Sequence, residues 1–456
     1  MNRQLINGDC LEELKKLDDN SVDLLCTDPP YGYGFMGKHW DTFKEKDSTK
    51  SQQVGWMSPG MKKDTYGMKE FFDPIWTECL RVLKPGALAF VMSAPRSDVQ
   101  TIMSQTLRDA GFDISFTPIY WTYASGFPKA MNVSKMLEKN GNQKEELDGS
   151  YGGFQPKPAV EVVLVAMKPL EEKGLLAQAL KNGKAVSWFD DCRVPFEEGH
   201  EPSDNQSMPD LRDVGKKSKE AIGIDKLSWG QVQNAERKEY EQNSDGRFPA
   251  NLLVSDDVLN DGIKRSKGKF TTEGSGTGGI WKESTGKPAG RTYGDEGSYS
   301  RFFSLDAWFE RNIKQLPEPV QQTFPFMIVP KASKSEKNEG LDNFDTKQVT
   351  GGGGGVGDYI DDVNSASGKF GSEKAPSRNI HPTVKPLTLM NYLVVLGSRK
   401  GDVVLEPFAG SGTTALACVS QERDYIAIER EEEYYDIAKA RLDKVEQPLK
   451  MWERFS

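Results

Sequence analysis

Residues 402–415 read DVVLEPFAGSGTTA, which describes a strand, a glycine turn and the start of a helix in that order. The β-branched pair Val403-Val404 favours the strand, and Gly410 and Gly412 allow a tight turn with close backbone approach. The helix begins near Thr413, so its first N–H groups can face a ligand. This order is typical of a nucleotide-type site.

A second strand follows at Tyr425–Glu429 and ends in an acid about twenty residues beyond the glycine turn, a spacing that suits ribose hydroxyls. Residues 274–279 also spell a GxGxxG pattern, but no strand precedes them, so we interpret them as a loop. The glycine turn within 402–429 has a strand before it, a helix after it and an acid beyond them, which are the elements that bind a nucleoside. It predicts a nucleoside-cofactor site rather than a plain strand-to-helix turn.

The other informative stretch is Asp28-Pro29-Pro30-Tyr31, which follows the apolar run at 22–27. The two prolines remove backbone donors, so the carbonyl groups around them remain as acceptors. A base amine could donate one N–H to Asp28 and the other to the Pro29 carbonyl, while Tyr31 stacks on an extruded base. Asp-Pro-Pro also occurs in ordinary turns, which is the alternative interpretation of these residues. We predict that Asp28, Pro29, Pro30 and Tyr31 are catalytic.

Together the two motifs resemble the amino-methyltransferases of DNA, which transfer methyl groups from S-adenosylmethionine to adenine N6 or cytosine N4. Residues 381–386, HPTVKP, look like the element that precedes the cofactor strand in that family, and residues 405–414 look like its cofactor loop. The family usually has Asp where Glu406 stands. The catalytic motif comes first here, which is similar to the β order of that family. The resemblance covers about residues 1–168 and 380–445.

The resemblance implies an α/β fold with a Rossmann-like, circularly permuted methyltransferase sheet and an inserted target-recognition region. We expect a catalytic half at 1–168, the insertion at 169–380 and a cofactor-binding half at 381–456. The insertion is polar and glycine-rich, with five consecutive glycines at 351–355 that we interpret as a linker, so we expect none of it in the central sheet. An accessory or oligomerisation insert remains the alternative.

The resemblance also implies S-adenosylmethionine as the cofactor, without a metal. Phe408 would pack against it, Glu429 would hold its ribose, and Lys385 would pair with its carboxylate. The residues expected to bind it are Asp9, Asp28, His381, Thr383, Lys385, Glu406, Phe408, Gly410, Gly412, Thr413 and Glu429.

The permuted order predicts that the first strand, ending at Asp9, lies beside the strand that ends at Glu429. Asp9 would then contact the adenine ring of the cofactor, although it also suits the N-cap of a helix over 11–17. For the base pocket we expect Tyr31 and Trp121, because the family has an aromatic residue near the end of the strand predicted at 114–121. A strand with one face in the core would bury an aromatic there as well.

The predicted reaction is direct attack by adenine N6 on the methyl group. Family members that act on cytosine N4 more often have Ser where Asp28 stands, so adenine is favoured and cytosine is the alternative. A cytosine-C5 enzyme needs a nucleophilic cysteine, typically after proline, and the sequence has no Pro-Cys pair. A nicotinamide oxidoreductase would leave Asp28 to Tyr31 unexplained, and a non-catalytic DNA-binding module would not need a methyl donor.

Composition predicts a cytoplasmic protein, because no apolar run is long enough to cross a membrane and the first residues lead directly into a strand. The five cysteines form no CxxC pair and there are only three histidines, so the sequence predicts neither a disulfide framework nor a zinc site. We expect the cysteines to be small residues of the hydrophobic core. The net charge of −9 does not exclude double-stranded DNA, since phosphate contacts need only a local basic face. A homodimer and a cognate restriction endonuclease remain open.

The rest of the pattern alternates helices and strands, which predicts a parallel or mixed sheet between helices. Helices are expected at 71–84 and 96–110, and strands at 87–92 and 160–167. The polar segment 32–70 is expected to act as a lid. Candidate phosphate contacts are Lys129, Lys135, Lys157, Arg212, Lys216, Lys217, Lys219, Lys264, Arg265, Lys267, Lys269, Lys331, Lys334 and Lys337.

Overall fold

The structure is a computed structural model, and six stretches of the chain are described by it. These are residues 3–32, 64–123, 131–196 except 143, 153–155 and 157–158, 246–260 except 256, 298–318, and 384–453, with residues 208–209, 237–238, 321, 338 and 341. Residues 33–63 of the predicted lid, the five-glycine run and all but one of the candidate phosphate contacts lie outside these ranges; Lys135 lies within them, and residues 64–70 of the predicted lid form the start of a helix.

The centre of the molecule is an eight-stranded sheet. Its strands are β1 (Arg3–Asn7), β2 (Val22–Thr27), β3 (Leu83–Ser93), β4 (Ile119–Thr122), β5 (Val160–Met167), β6 (Leu252–Val254), β7 (Val403–Glu406) and β8 (Asp424–Glu429). Their order across the sheet is β1-β8-β7-β2-β3-β5-β4-β6. Every neighbouring pair is parallel except the two made by β5, which runs antiparallel between β3 and β4. The sheet is therefore mixed, as the alternating pattern predicted.

Parallel pairing brings the carboxyl ends of β1, β2, β7 and β8 to one edge of the sheet. The first strand lies beside the last one, with Arg3 opposite Tyr425 and Asn7 opposite Glu429. The Asn7 side-chain amide also donates to the Glu429 carbonyl oxygen at 2.9 Å. The predicted placement of the first strand is confirmed, while circular permutation stays a prediction.

Helices cover both faces of the sheet. They are α1 (Cys10–Leu14), α2 (Asp64–Val82), α3 (Ser97–Ala110), α4 (Val133–Lys139), α5 (Leu175–Asn182), α6 (Leu305–Ile313), α7 (Leu387–Gly397), α8 (Thr413–Ser420) and α9 (Glu432–Glu453). Apolar residues of α1, α2 and α3 form one core cluster with the sheet, and those of α6, α7, α8 and α9 form the other. Successive residues of β2 serve opposite clusters, because side chains alternate between the faces of a strand.

Helix α7 is buried along its whole length and lies very close to the sheet. A Cβ atom at Gly397 would stand 2.6 Å from Leu24 Cδ1 and 2.7 Å from Phe90 Cε2, so only glycine allows this approach. This approach places the end of α7 directly against two strands of the sheet.

Three expectations about the elements need correction. Part of the predicted insertion belongs to the sheet, because Leu252–Val254 pairs in parallel with Tyr120–Thr122 at the edge. The strand predicted over 114–121 is shorter and spans Ile119–Thr122, and the helix predicted from residue 71 begins at Asp64. Short antiparallel pairs also join Met131–Asn132 to Tyr151–Gly152 and Met208–Pro209 to Arg237–Lys238.

The five cysteines are all buried and unpaired, which confirms their expected place in the core. Among the helices within the described ranges, none has the length and apolar character needed to span a membrane.

Candidate active site

A cavity of about 400 Å³ opens at the edge where the carboxyl ends of β1, β2, β7 and β8 meet. Both sequence motifs contribute to its wall, although nearly 380 residues separate them. The predicted site residues that line the cavity are Asp9, Asp28, Pro29, Pro30, Tyr31, Lys385, Glu406, Phe408, Gly410, Thr413 and Glu429. The fold therefore brings the Asp28–Tyr31 motif and the glycine turn to one cavity.

Asp28 follows β2 directly, and both of its carboxylate oxygens have partners in the protein. The Tyr31 hydroxyl donates to Oδ1 at 2.6 Å, and the Lys385 ammonium donates to Oδ2 at 2.6 Å. Each carboxylate oxygen has a second lone-pair direction, so the group can still accept an N–H from a ligand. The Tyr31 ring, expected to stack on a base, is thereby fixed beside the acceptor.

Lys385 was expected to pair with the carboxylate of a cofactor, but here it lies between two carboxylates of the protein. Its Nζ atom is 2.6 Å from Asp28 Oδ2, 3.3 Å from Glu161 Oε2 and 5.5 Å from the centre of the Tyr31 ring. Burial alone would lower the pKa of this ammonium, but the Asp28 and Glu161 carboxylates raise it above its ordinary value. Lys385 is therefore a cation and a hydrogen-bond donor at neutral pH.

Glu406 ends β7 and connects both motifs from within the core. Its Oε1 accepts from the Thr27 hydroxyl at 2.5 Å and the Phe408 N–H at 3.1 Å, and its Oε2 accepts from the Thr414 hydroxyl at 2.7 Å. Burial raises the pKa of Glu406 to about 8, against the lowering effect of these hydrogen bonds. Its contacts hold the strand ends together.

Glu429 ends β8 and closes the glycine turn. Its carboxylate accepts from the Gly410 N–H at 2.7 Å and the Glu431 N–H at 2.9 Å, and burial raises its pKa to about 7. Asp9 acts as the N-cap of α1, accepting from the Leu11 N–H at 3.0 Å, and it also lines the cavity. The capping interpretation of Asp9 is confirmed, and its contact with adenine stays a prediction.

An aromatic and apolar wall faces these acids. The Phe408 ring lies 6.0 Å from Phe72 and 6.2 Å from Trp76 in edge-on arrangements, and 6.3 Å from Phe71. These partners belong to α2, which also contributes Glu70, Phe71, Pro74 and Ile75 to the cavity wall. A flat apolar ligand group suits this side of the cavity, whereas hydroxyl groups suit the opposite side.

Two of the predicted site residues within the described ranges are absent from the cavity wall. Trp121 is 1% exposed and donates its indole N–H to Ser255 Oγ at 3.0 Å, so it packs in the core beside Tyr123. Gly412 lies behind the turn against Ala438, with φ +78°. His381 and Thr383 lie outside the described residues.

A family model described as DNA methylase, of the N6/N4 type, matches residues 22–440. The chain belongs to the DNA methylase family. Two related proteins share short similar segments with this chain. The type II methyltransferase M2.MboI of Moraxella bovis is 43% identical over 70 residues, which is 15% of this chain and 26% of that protein. M.HinfI of Haemophilus influenzae is 38% identical over 83 residues, 18% of this chain and 23% of that protein.

The chain thus matches about a quarter of the length of each of these methylase relatives. Among solved structures, the PvuII DNA methyltransferase, described as cytosine-N4-specific, aligns with a TM-score of 0.41 at 12% identity. That alignment covers 99% of this chain and 93% of the PvuII chain, but a score this low adds nothing to the assignment.

Sequence reasoning missed two residues that support the cavity and the glycine turn. Glu161 stands within an apolar strand, and no local signal points to its contact with Lys385. The buried Arg441 of α9 donates to the Ser411 carbonyl and, at 3.4 Å, to the Thr413 hydroxyl, which supports the glycine turn from behind. No group of three or more metal-binding side chains occurs within the described ranges.

Proposed function

We propose that this chain is a DNA methyltransferase that uses S-adenosylmethionine to methylate the N6 amine of an adenine extruded from double-stranded DNA. The observation that carries the proposal is the single cavity that contains both the Asp28–Tyr31 turn and the glycine turn after β7. Family membership supports the same reaction class. The carboxylate at position 28 supports adenine over the cytosine-N4 alternative.

The cavity suits the proposed cofactor. Its volume of about 400 Å³ falls within the range of roughly 300–1,000 Å³ usual for ligand pockets. Phe408 and Phe71 offer an apolar surface, and Asp9 and Glu429 place carboxyl groups at neighbouring strand ends. When bound, S-adenosylmethionine supplies an electrophilic methyl group. We assign Phe408 and Asp9 to its adenine and Glu429 to its ribose.

The residues of the chain prepare the amine for reaction. Asp28 accepts one N–H of the amine and the Pro29 carbonyl accepts the other, which increases electron density on the nitrogen and fixes its direction. The Tyr31 ring stacks on the base. The Lys385 and Tyr31 contacts hold the Asp28 carboxylate in place before the base arrives.

Nucleoside analysis tests the base and the residue together. Purified protein, genomic DNA and isotope-labelled S-adenosylmethionine should yield labelled N6-methyladenine, identified by mass spectrometry after digestion. Asp28→Ala should lower the rate by at least about a hundredfold, the scale for losing one preorganised group, with little change in S-adenosylmethionine affinity. The exposed Asp148, outside the cavity, gives a control through Asp148→Ala.

Labelled N4-methylcytosine would establish the alternative base. Near-normal turnover by Asp28→Ala would contradict the mechanism, and DNA binding without any methyl transfer would support a non-catalytic module. Sequence recognition by parts of 169–380, a homodimer, a cognate restriction endonuclease and a cytoplasmic location stay predictions. Sequencing that detects modified bases, on DNA from cells expressing the protein, would identify the site.

A further inference from the structure

Lys385 and Asp28 form a donor next to an acceptor on the wall of the cavity. Both residues line it, and their Nζ and Oδ2 atoms are 2.6 Å apart. The Lys385 backbone is fixed because Pro386 is the N-cap residue of α7, whose residues are all buried. The pair is therefore a preorganised feature of the site.

Glu161 completes the arrangement from β5. Its Oε2 atom is buried and lies 3.3 Å from Lys385 Nζ, an ion-pair distance, without a well-aligned hydrogen bond among the described residues. One cation between two anions leaves the group of three with a net charge of −1. Asp28 is thus not neutralised fully by Lys385 and keeps its capacity as an acceptor.

The ammonium can serve a ligand as well as the two carboxylates. It has three N–H donors: one donates to Asp28 at 2.6 Å, whereas Glu161 is an ion-pair partner at 3.3 Å. Because Lys385 lines the cavity, a remaining donor can be directed at a bound base. Nearby titratable groups are Tyr31 and Glu406, which hold the Asp28 turn and the neighbouring strand end.

The spacing of this pair matches the edge of an aminated base. In adenine and cytosine, the amine nitrogen and the adjacent unprotonated ring nitrogen are joined through one carbon by two C–N bonds. Bonds of about 1.33 Å meeting near 120° put these nitrogens roughly 2.3 Å apart. Thymine and guanine reverse the pattern, with a carbonyl oxygen next to a protonated ring nitrogen.

We propose that Lys385 reads the ring nitrogen beside the amine, donating to adenine N1 while Asp28 accepts from N6, with Glu161 as the positioning residue that holds the ammonium. The inference rests on the proposed function and adds the atoms by which the extruded base is recognised. It applies equally to N3 and N4 of cytosine. Lys385 therefore separates adenine and cytosine from thymine and from the O6–N1 edge of guanine, and selection between adenine and cytosine belongs to other residues.

Base analogues test this assignment. Duplexes with the methylated site identified by sequencing would contain 1-deazaadenine at the target, which replaces N1 by C–H, or 7-deazaadenine, which keeps N1. Wild type should methylate the 7-deaza duplex at a rate similar to that of adenine and the 1-deaza duplex at least about tenfold more slowly, because a charged donor loses its acceptor. A cytosine target would be tested with 3-deazacytosine against cytosine.

Lys385→Met isolates the contact. In this variant the ratio of the 7-deaza rate to the 1-deaza rate should fall to the intrinsic difference between the two analogues, which is the same for both enzymes. If Lys385→Met folds poorly, the double variant Lys385→Met/Glu161→Gln can replace it, because it removes one cation and one anion together. The double variant should show the same loss of discrimination between the two duplexes. Glu161→Gln alone should weaken discrimination without changing S-adenosylmethionine affinity.

Where turnover is too slow to measure, the affinities of the 7-deaza and 1-deaza duplexes in the presence of S-adenosylhomocysteine are compared instead. An equal ratio of 7-deaza to 1-deaza in wild type and Lys385→Met would overturn the inference. Absence of methylation of unmodified DNA by wild type would instead overturn the proposed function.

Discussion

The Thr27 hydroxyl donates to the Glu406 carboxyl group at 2.5 Å, joining the end of β2 to the end of β7. Thr27 immediately precedes Asp28, and Glu406 also accepts from Thr414 in the first turn of α8 at 2.7 Å. Thr27 and Glu406 are both buried. The Glu406 side chain therefore links the Asp28–Tyr31 turn to the glycine turn after β7.

We expect Glu406→Gln to remove a pH dependence of stability. The pKa of Glu406 is raised by burial from 4.5 to about 8 in the folded protein. The folded state therefore holds the proton over a pH range in which the unfolded chain has lost it. The stabilising contribution is complete below about pH 4.5 and is lost as the pH rises to about 8.

Urea unfolding of both proteins between pH 5 and 8 measures this effect. Relative to Glu406→Gln, the free energy of unfolding of wild type should fall by a few kcal/mol across that range, at about 1.4 kcal/mol per pKa unit. Gln is a matched replacement, because its oxygen can accept from Thr27 and Phe408 while its nitrogen donates to Thr414. If the free energy of unfolding varied with pH in the same way in both proteins, Glu406 would titrate alike in the folded and unfolded states.

Gly412→Ala should destabilise the protein more than Gly401→Ala. Both glycines have left-handed backbones, with φ +78° and +81°, so alanine costs each about 1–2 kcal/mol. A Cβ atom at Gly412 would also lie 2.9 Å from the Ala438 Cβ atom, whereas one at Gly401 would meet nothing within 4 Å among the described residues. Overpacking of this kind adds roughly 1–3 kcal/mol.

Chemical unfolding of the two variants gives the difference directly. Ala438→Gly in the Gly412→Ala background should recover part of the loss, because it removes the contacting atom. Equal losses at the two positions would show that α9 moves away without cost. The comparison measures the packing role of Gly412, and the cofactor contact predicted from sequence stays a prediction.

Local patterns sufficed for the motifs, because glycine turns, prolines and β-branched runs act within a few residues. The placement of the first strand came instead from the permuted order that the family resemblance implies. They did not predict β6, whose three residues form a strand through pairing with distant Tyr120–Thr122. Glu161 was missed for a similar reason, since only the antiparallel placement of β5 brings it to Lys385. For Trp121, the two-residue period cannot tell which face of the strand is buried.

Trp308→Ala tests whether the segment between the two motifs folds as part of the sheet domain. Trp308 lies on α6 with 0% exposure, donates its indole N–H to the Asp191 carbonyl at 2.8 Å, and has its ring 5.0 Å from Tyr392 of α7. Truncating it should cost about 3–5 kcal/mol. Phe248, in the same segment but 59% exposed, gives a control in which Phe248→Ala should cost under about 1 kcal/mol.

The shape of the unfolding transition decides what α6 belongs to. If α6 is integral to the methyltransferase core, Trp308→Ala lowers the single transition of the whole domain and weakens S-adenosylmethionine binding at elevated temperature. A separate early transition, with cofactor binding unchanged, would mean that the segment folds independently. The first outcome requires that any exchange of recognition sequences between relatives leave β6 and α6 in place, because both contribute to the core that supports the site.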